Sequence, residues 1–214
     1  DVFFLDNGEV DLSHDAALTP LVIDLNGDGI HTIARANSTG IFDLLGTGTA
    51  IASGWVSGDD AFLARDANGN GKIDDIGELF GGFAKGDGFG KLAAFDSNHD
   101  SVVDTHDARF TELTLWRDTN GNHHTDDGEL IQLTDANVTS LSLSYQNRFT
   151  LDTNGNVLGE HSTVTLGDGT QTGMTDVYFN VAASDAAAAG VALPELHELI
   201  DASIGLVGLQ TGAL

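Results

Sequence analysis

The stretch TPLVIDLNGDGI, Thr19 to Ile30, joins an apolar run to a string of oxygen-bearing side chains. Leu21, Val22 and Ile23 have the composition of a buried strand. Asp24, Asn26 and Asp28 then fall at every second position, with Gly27 and Gly29 between and after them. The spacing predicts a strand that ends in a tight loop with its side-chain oxygens turned inward, the arrangement that a hard cation such as calcium requires.

The same spacing recurs along the chain, at Asp66-Asn68-Asn70, Asp96-Asn98-Asp100, Asp118-Asn120-Asn122 and Asp152-Asn154-Asn156. Calcium takes about 6–8 oxygen ligands: side chains at loop positions 1, 3, 5 and 9, a main-chain carbonyl at 7 and a closing carboxylate at 12. The loop from Asp96 supplies Asp96, Asn98, Asp100, Val102 (carbonyl), Asp104 and Asp107. The loop from Asp118 supplies Asp118, Asn120, Asn122, His124 (carbonyl), Asp126 and Glu129, with His123 at position 6 where glycine is usual. The loop from Asp66 supplies Asp66, Asn68, Asn70, Lys72 (carbonyl) and Asp74, and its closing Glu78 falls one residue late. The first loop has Arg35 at position 12, so Asp24, Asn26 and Asp28 must borrow ligands or leave coordination open to a partner. The fifth has Thr163 at 12 and Glu160 at 9, and reads as a bare hairpin turn on Asn154-Gly155. Three to five calcium ions are expected.

Composition agrees. The chain has 214 residues, 33 Asp and Glu against 8 Lys and Arg, and a net charge of −25. With 41% hydrophobic residues it can bury a core, but the charge needs cations to become compact. Nucleic acid is excluded as a partner, because phosphate binding needs basic surface. Cysteine is absent, so disulfides and thiolate metal sites are excluded. The chain starts DVFFLDNGEV without a basic n-region, so no signal peptide is read, and no apolar run reaches the ~20 residues that span a membrane. The balance suits a protein exported unfolded and folded by calcium outside the cell.

The expected fold class is α+β, with many short antiparallel strands and few short helices, held by several EF-hand-like calcium loops. Short strands are predicted at LVIDL, GIHTI, GIFDLL, GWV, LTLW, VTSLSLSY and STVTLGDGTQTGMTDVYFNV, and helices over Lys91–Phe95, Thr105–Leu113 (burying Ala108, Phe110 and Leu113) and LPELHELIDA (burying Leu196, Leu199 and Ile200). Residues 1–19 read as a lead-in, 20–182 as the calcium-binding domain, and 183–214 as a linker and C-terminal helix. Trp55 and Trp116 read as core. His106, His123 and His124 read as solvated loop residues rather than zinc ligands or bases. GGFAKGDGFG, Gly81 to Gly90, lacks the ending of a phosphate loop and reads as a flexible segment that could line a ligand groove.

PLVIDLNGDGI, GWVSGDDAFLARDANGNGKIDDIGELFG, AAFDSNHD, LTLWRDTNGN and GMTDVYF, in this order, resemble the calcium-dependent modules of RTX-type secreted bacterial proteins over roughly Pro20 to Asn180. One branch is the self-processing module, and a related branch is the peptide-binding domain of large RTX adhesins. The first implies cleavage of an Asp-Pro bond: the aspartate carboxylate attacks its own carbonyl, forms a cyclic anhydride and releases the proline nitrogen, and a lysine amine can open the anhydride. This chain carries Thr19 before Pro20, and a threonine hydroxyl without an adjacent base is a far weaker nucleophile. No catalytic residue is therefore assigned. The expected function is a calcium-loaded, non-enzymatic, peptide-binding module of an extracellular, cell-surface adhesin, of the kind exported by type I secretion and used in adhesion and biofilms. It would sit between flanking adhesin domains, bind a peptide or protein C-terminus on a host or neighbouring cell, and not insert into membranes. Ligand contacts are expected at Asp24, Asn26, Asp28, Asp87 and Phe89. Self-processing before Pro20 and a structural spacer are the alternatives.

Overall fold

The computed structural model describes residues 3–4, 10–11, 15–193 and 199. In chain order the strands are β1 (Phe3–Phe4), β2 (Val10–Asp11), β3 (Asp15–Ile23), β4 (Thr32–Ile33), β5 (Trp55–Val56), β6 (Ala61–Ala64) and β7 (Gly81–Gly82), followed by helix α1 (Asp87–Ala93). Then come β8 (Val102–Asp104), β9 (Thr114–Trp116), β10 (Leu130–Gln132), β11 (Val138–Ser142), β12 (Gln146–Leu151), β13 (Val157–Leu166), β14 (Gln171–Ala182) and helix α2 (Ala183–Ala188). Ten strands form one sheet in the order β10-β9-β6-β3-β14-β13-β11-β8, with β12 on β13 and β7 on β3. Every named strand pair is antiparallel.

This corrects the expected class. The domain is β-rich rather than α+β, its described α-helices are two short segments, and none of the acidic loops sits between two helices as an EF-hand does. Three of the loops instead leave the ends of β3, β6 and β9, which are neighbours in the sheet. The helix expected over Thr105–Leu113 is a single 3-10 turn, Phe110–Glu112, with Ala108 exposed while Phe110 and Leu113 are buried. The helix expected over Lys91–Phe95 starts earlier, at Asp87. Of the expected C-terminal helix only Leu199 lies among the described residues, where it is helical and buried.

The central strands are apolar on both faces, which is why they read as unbroken runs. Leu18 and Val22 of β3, Phe62 and Ala64 of β6, Trp116 of β9 and Val177, Phe179 and Val181 of β14 enter one core with Trp55 and Phe42. Leu21, Ile23, Ala61, Leu63, Leu115 and Met174 enter the other, with Phe80, Phe89, Leu92 and Phe110. A register shift between Val138 and Ser140 accounts for the apolar residues of β11 slipping from strict alternation. The β12–β13 hairpin turns on Asn154-Gly155 as its sequence predicts, with Leu151 opposite Val157 and Gly155 at φ 79. Among the described residues no helix is long and apolar enough to cross a membrane.

Candidate functional site

Four acidic loops share one backbone. Each places positions 4 and 6 in the left-handed region: Gly27 and Gly29, Gly69 and Gly71, His99 and Ser101, Gly121 and His123. Each turns its first aspartate inward onto the amides that this conformation presents. Asp24 Oδ1 accepts from Gly27 N at 2.7 Å and Oδ2 from Gly29 N at 2.9 Å. The equivalent bonds run from Gly69 and Gly71 to Asp66, from His99 and Ser101 to Asp96, and from Gly121 and His123 to Asp118, at 2.7–2.9 Å. The fifth segment lacks a left-handed residue at position 6. It docks instead on β4, where Asn154 Nδ2 donates to Thr32 O at 2.9 Å and Asn156 Nδ2 to Thr32 Oγ1 at 2.8 Å.

Three loops also close in the same way. Glu78 Oε1 accepts from Ala67 N at 2.9 Å, while its Oε2 takes Asp74 N at 2.8 Å. Asp107 accepts from Ser97 N at 2.7 Å and from Asp104 N at 2.9 Å. Glu129 accepts from Thr119 N at 3.0 Å and from Asp126 N at 3.1 Å. The closing acid thus ties loop position 2 to position 9 in each. The 3-10 turn Ile76–Glu78, capped by Asp75, carries the extra residue that makes Glu78 fall at position 13.

The remaining side chains converge. Asn120 and Asn122 both reach Asp126 Oδ2 at 2.8 Å, Asn98 reaches Asp100 Oδ2 at 3.0 Å, and Asn70 bonds Asp74. An amide brings an oxygen as well as an NH2 to such a point, and the two are interchangeable by rotation. Lys72, Val102 and His124 sit at position 7, each amide donating to the position-5 side chain at 2.8–3.0 Å. Among the described residues no three His, Asp or Glu side chains share a focal point. The loops mix carboxylates with amides and carbonyls, a donor set that fits calcium and not zinc. Two loops touch: Thr125 Oγ1 accepts from Ile73 N at 2.9 Å, position 8 against position 8.

His123 corrects the reading of the loop histidines as solvated. It is 1% exposed, lies 3.8 Å from the Trp55 ring at 14°, and bonds Ser38 Oγ through Nε2 at 2.9 Å. Burial, with His124 adding to it, pushes it down to about 4, so it is neutral at pH 7. That packing explains a bulky residue at φ 62. Asp118 Oδ2 meets the same cluster, accepting from Trp55 Nε1 at 2.8 Å.

The Thr19–Pro20 junction lies inside β3, opposite Gly82 and Gly81 of β7. A Cβ on Gly81 would stand 1.6 Å from Thr19 O, so only glycine lets β7 close there. Thr19 is 0% exposed and its hydroxyl has no hydrogen-bond partner. The pairs Phe179–Leu18 and Asp176–Leu21 put Tyr178 opposite Thr19, with Asp176 on the same sheet face. Asp176 is 0% exposed and neither oxygen has a well-formed hydrogen bond. Burial, reinforced by Glu160, pushes its carboxyl well above the usual range, while the Gly88 amide and Lys91 oppose this. Glu160 is itself pushed up by burial, and accepts from Tyr178 Oη at 2.9 Å.

Asp176 therefore disfavours the folded state at neutral pH. A raised folded pKa contributes stability that is full below the ordinary carboxylate value, about 3.9, and lost as pH rises through the folded pKa. Asp176→Asn is expected to gain on the parent protein by up to about 1.4 kcal/mol per pH unit across that window, then hold the gain. Thermal melts from pH 4 to 8 in one fixed buffer composition check this, and parallel curves would refute it.

A groove of about 420 Å³ opens beside the junction, lined by Ile76, Gly81, Gly82, Phe83, Asp87, Gly90 and Lys91. Asp87 faces it but also clamps the preceding turn, accepting from Phe83 N at 3.0 Å and Ala84 N at 2.9 Å. Phe89 is 3% exposed and stacked on Tyr145, so the exposed aromatic ring that lines the groove is Phe83. Asp24, Asn26 and Asp28 are not brought to this groove. They follow the far end of β3, and five residues of strand from Thr19 to Asp24 span roughly 17 Å.

The chain matches the SPM domain over residues 21–180, which takes in all the acidic loops and begins one residue after Pro20. It belongs to the SPM domain family. It is also 41% identical over 167 residues to the iron-regulated protein FrpA of Neisseria meningitidis serogroup C. That match takes in 74% of this chain but only 15% of the FrpA length, so this SPM domain corresponds to a small part of its relative.

Sequence reasoning missed Asp60, Asp176 and the His123–Trp55 contact. An acid within the otherwise apolar run of β14 was the one available signal for Asp176.

Proposed function

We propose that the chain is a calcium-loaded ligand-binding module of a secreted RTX-type bacterial adhesin, which folds as calcium fills its acidic loops and which binds rather than cuts. The observation that carries this reading is the shared loop backbone, with inward first aspartates and three matching closing acids. The ions would be held by Asp66, Asn68, Asn70, Asp74 and Glu78; by Asp96, Asn98, Asp100, Asp104 and Asp107; by Asp118, Asn120, Asn122, Asp126 and Glu129; and by Asp24, Asn26 and Asp28. The first loop has no closing acid of its own, and its ion would keep coordination free for a peptide's terminal carboxylate. The groove beside Gly81 and Lys91 is a second surface for an extended peptide. The extracellular setting follows from the same reading, because millimolar calcium is found there. Calorimetry with free C-terminal peptides should give heat with calcium and none with chelator. No heat with any such peptide would sink the ligand-binding part.

Cleavage before Pro20 is a second reading, favoured by the burial of Thr19–Pro20 beside Asp176, whose carboxyl is pushed up by burial. The Thr19 hydroxyl has neither base nor partner to activate it. The parent chain is therefore expected to keep its intact mass after hours in calcium, whereas Thr19→Asp should release a fragment starting at Pro20. A Pro20 fragment from the parent chain would overturn the non-cleaving reading. An intact Thr19→Asp chain would remove cleavage as a capacity of this fold.

A further inference from the structure

We propose that Asp60, from the turn before β6, supplies the first acidic loop with the closing oxygen its own sequence lacks, so that Asp24, Asn26, Asp28 and Asp60 hold one calcium ion across two chain segments. This rests on reading the acidic loops as calcium loops.

The hydrogen bonds carry it. In the three self-closed loops one oxygen of the closing acid accepts from the position-9 amide. In the first loop Asp60 Oδ2 accepts from His31 N at 2.7 Å, at position 8, although Asp60 lies 29 residues along the chain. Asp60 thus stands where the loop's own position 12, Arg35, offers no carboxylate. The pairing of Thr32 with Val56, and the bond from Ser57 N to His31 O at 2.8 Å, hold the two segments together.

The other oxygen points to an ion. Asp60 is 0% exposed and its Oδ1 has no hydrogen-bond partner. The carboxylates that act on it across the gap are Asp24 and Asp28. A buried oxygen left unpaired costs about 1–3 kcal/mol, and more when charged, unless something compensates. Asp43, which clamps its own turn, uses both oxygens instead, on Thr47 N at 3.0 Å and Gly48 N at 2.6 Å. A divalent cation supplies the missing partner, and the Asp, Asn and carbonyl donors select calcium over softer ions. One closing carboxylate borrowed from outside still leaves room in a shell of about 6–8 for water or a ligand carboxylate.

The test is an ion count by native mass spectrometry, with calorimetric affinities, on the full chain with calcium alone. The parent chain should load four ions. Asp60→Asn should lose the first-loop ion, or bind it at least about tenfold more weakly, and keep the other three. Asp28, exposed and away from the core, gives a second variant that does not threaten folding: Asp28→Asn should weaken the same ion, and the double variant should lose no further ion. A parent chain that loads only three ions, or an Asp60→Asn or Asp28→Asn chain with unchanged affinities, overturns this site and leaves the calcium reading standing. A parent chain that loads none overturns both.

Discussion

Asp118→Ala is expected to leave the chain largely unfolded at a calcium concentration that folds the parent protein. Asp118 is buried and serves four donors at once: the amides of Gly121, Asn122 and His123, and the Trp55 indole. Alanine strands these donors and, on the calcium reading, removes an ion ligand with them. Two of the donors, the His123 amide and the Trp55 indole, are buried, and each stranded buried donor costs about 1–3 kcal/mol. With the loss of the ion's contribution, about 2.7 kcal/mol at a hundredfold excess over its Kd, the sum reaches the lower part of an ordinary domain's stability, about 5–15 kcal/mol. Circular dichroism in millimolar calcium is the measurement, and a cooperative melt within a few degrees of the parent would refute the role given to Asp118.

The second large effect is removal of calcium. Excess chelator is expected to lower the melting temperature by about 20 °C or more, or to abolish the transition. A site at a hundredfold excess over its Kd adds about 2.7 kcal/mol, so three or four such sites match the stability of a typical domain. The net charge of −25 works in the same direction, because the loops bring carboxylates together that repel without a counter-ion. Equal melting temperatures in chelator and in calcium would refute both the loop reading and the proposed function.

What could be read in the chain was local. Positions 1, 3 and 5 of each loop lie within five residues, and glycine at positions 4 and 6 of the loops from Asp24 and Asp66 announces the left-handed backbone directly. The turn at Asn154-Gly155 is local in the same sense. What failed to show depends on partners far along the chain. His123 at position 6 looked like a departure, because the indole that supports it belongs to Trp55. Asp60 drew no reading, because the loop it faces is 29 residues away. The periodicity of Thr105–Leu113 suggested a helix, but Asp107 is committed to the amides of Ser97 and Asp104, and the chain makes only a 3-10 turn after it. The fold class was misjudged for a related reason. The long pairing of β14 with β3 carries the architecture, and strand partners so distant leave no local trace.

The contact between Trp55 and the loop from Asp118 has a practical consequence. The indole N–H is bonded to a first-position carboxylate, its ring lies flat on His123, and it is shielded from solvent. The chain has only two tryptophans, and the second, Trp116, lies 5.6 Å from the first in the same core. Ultraviolet emission therefore comes almost wholly from one spot, beside one loop. The molecule carries its own optical gauge, reporting without any attached dye whether that loop is assembled.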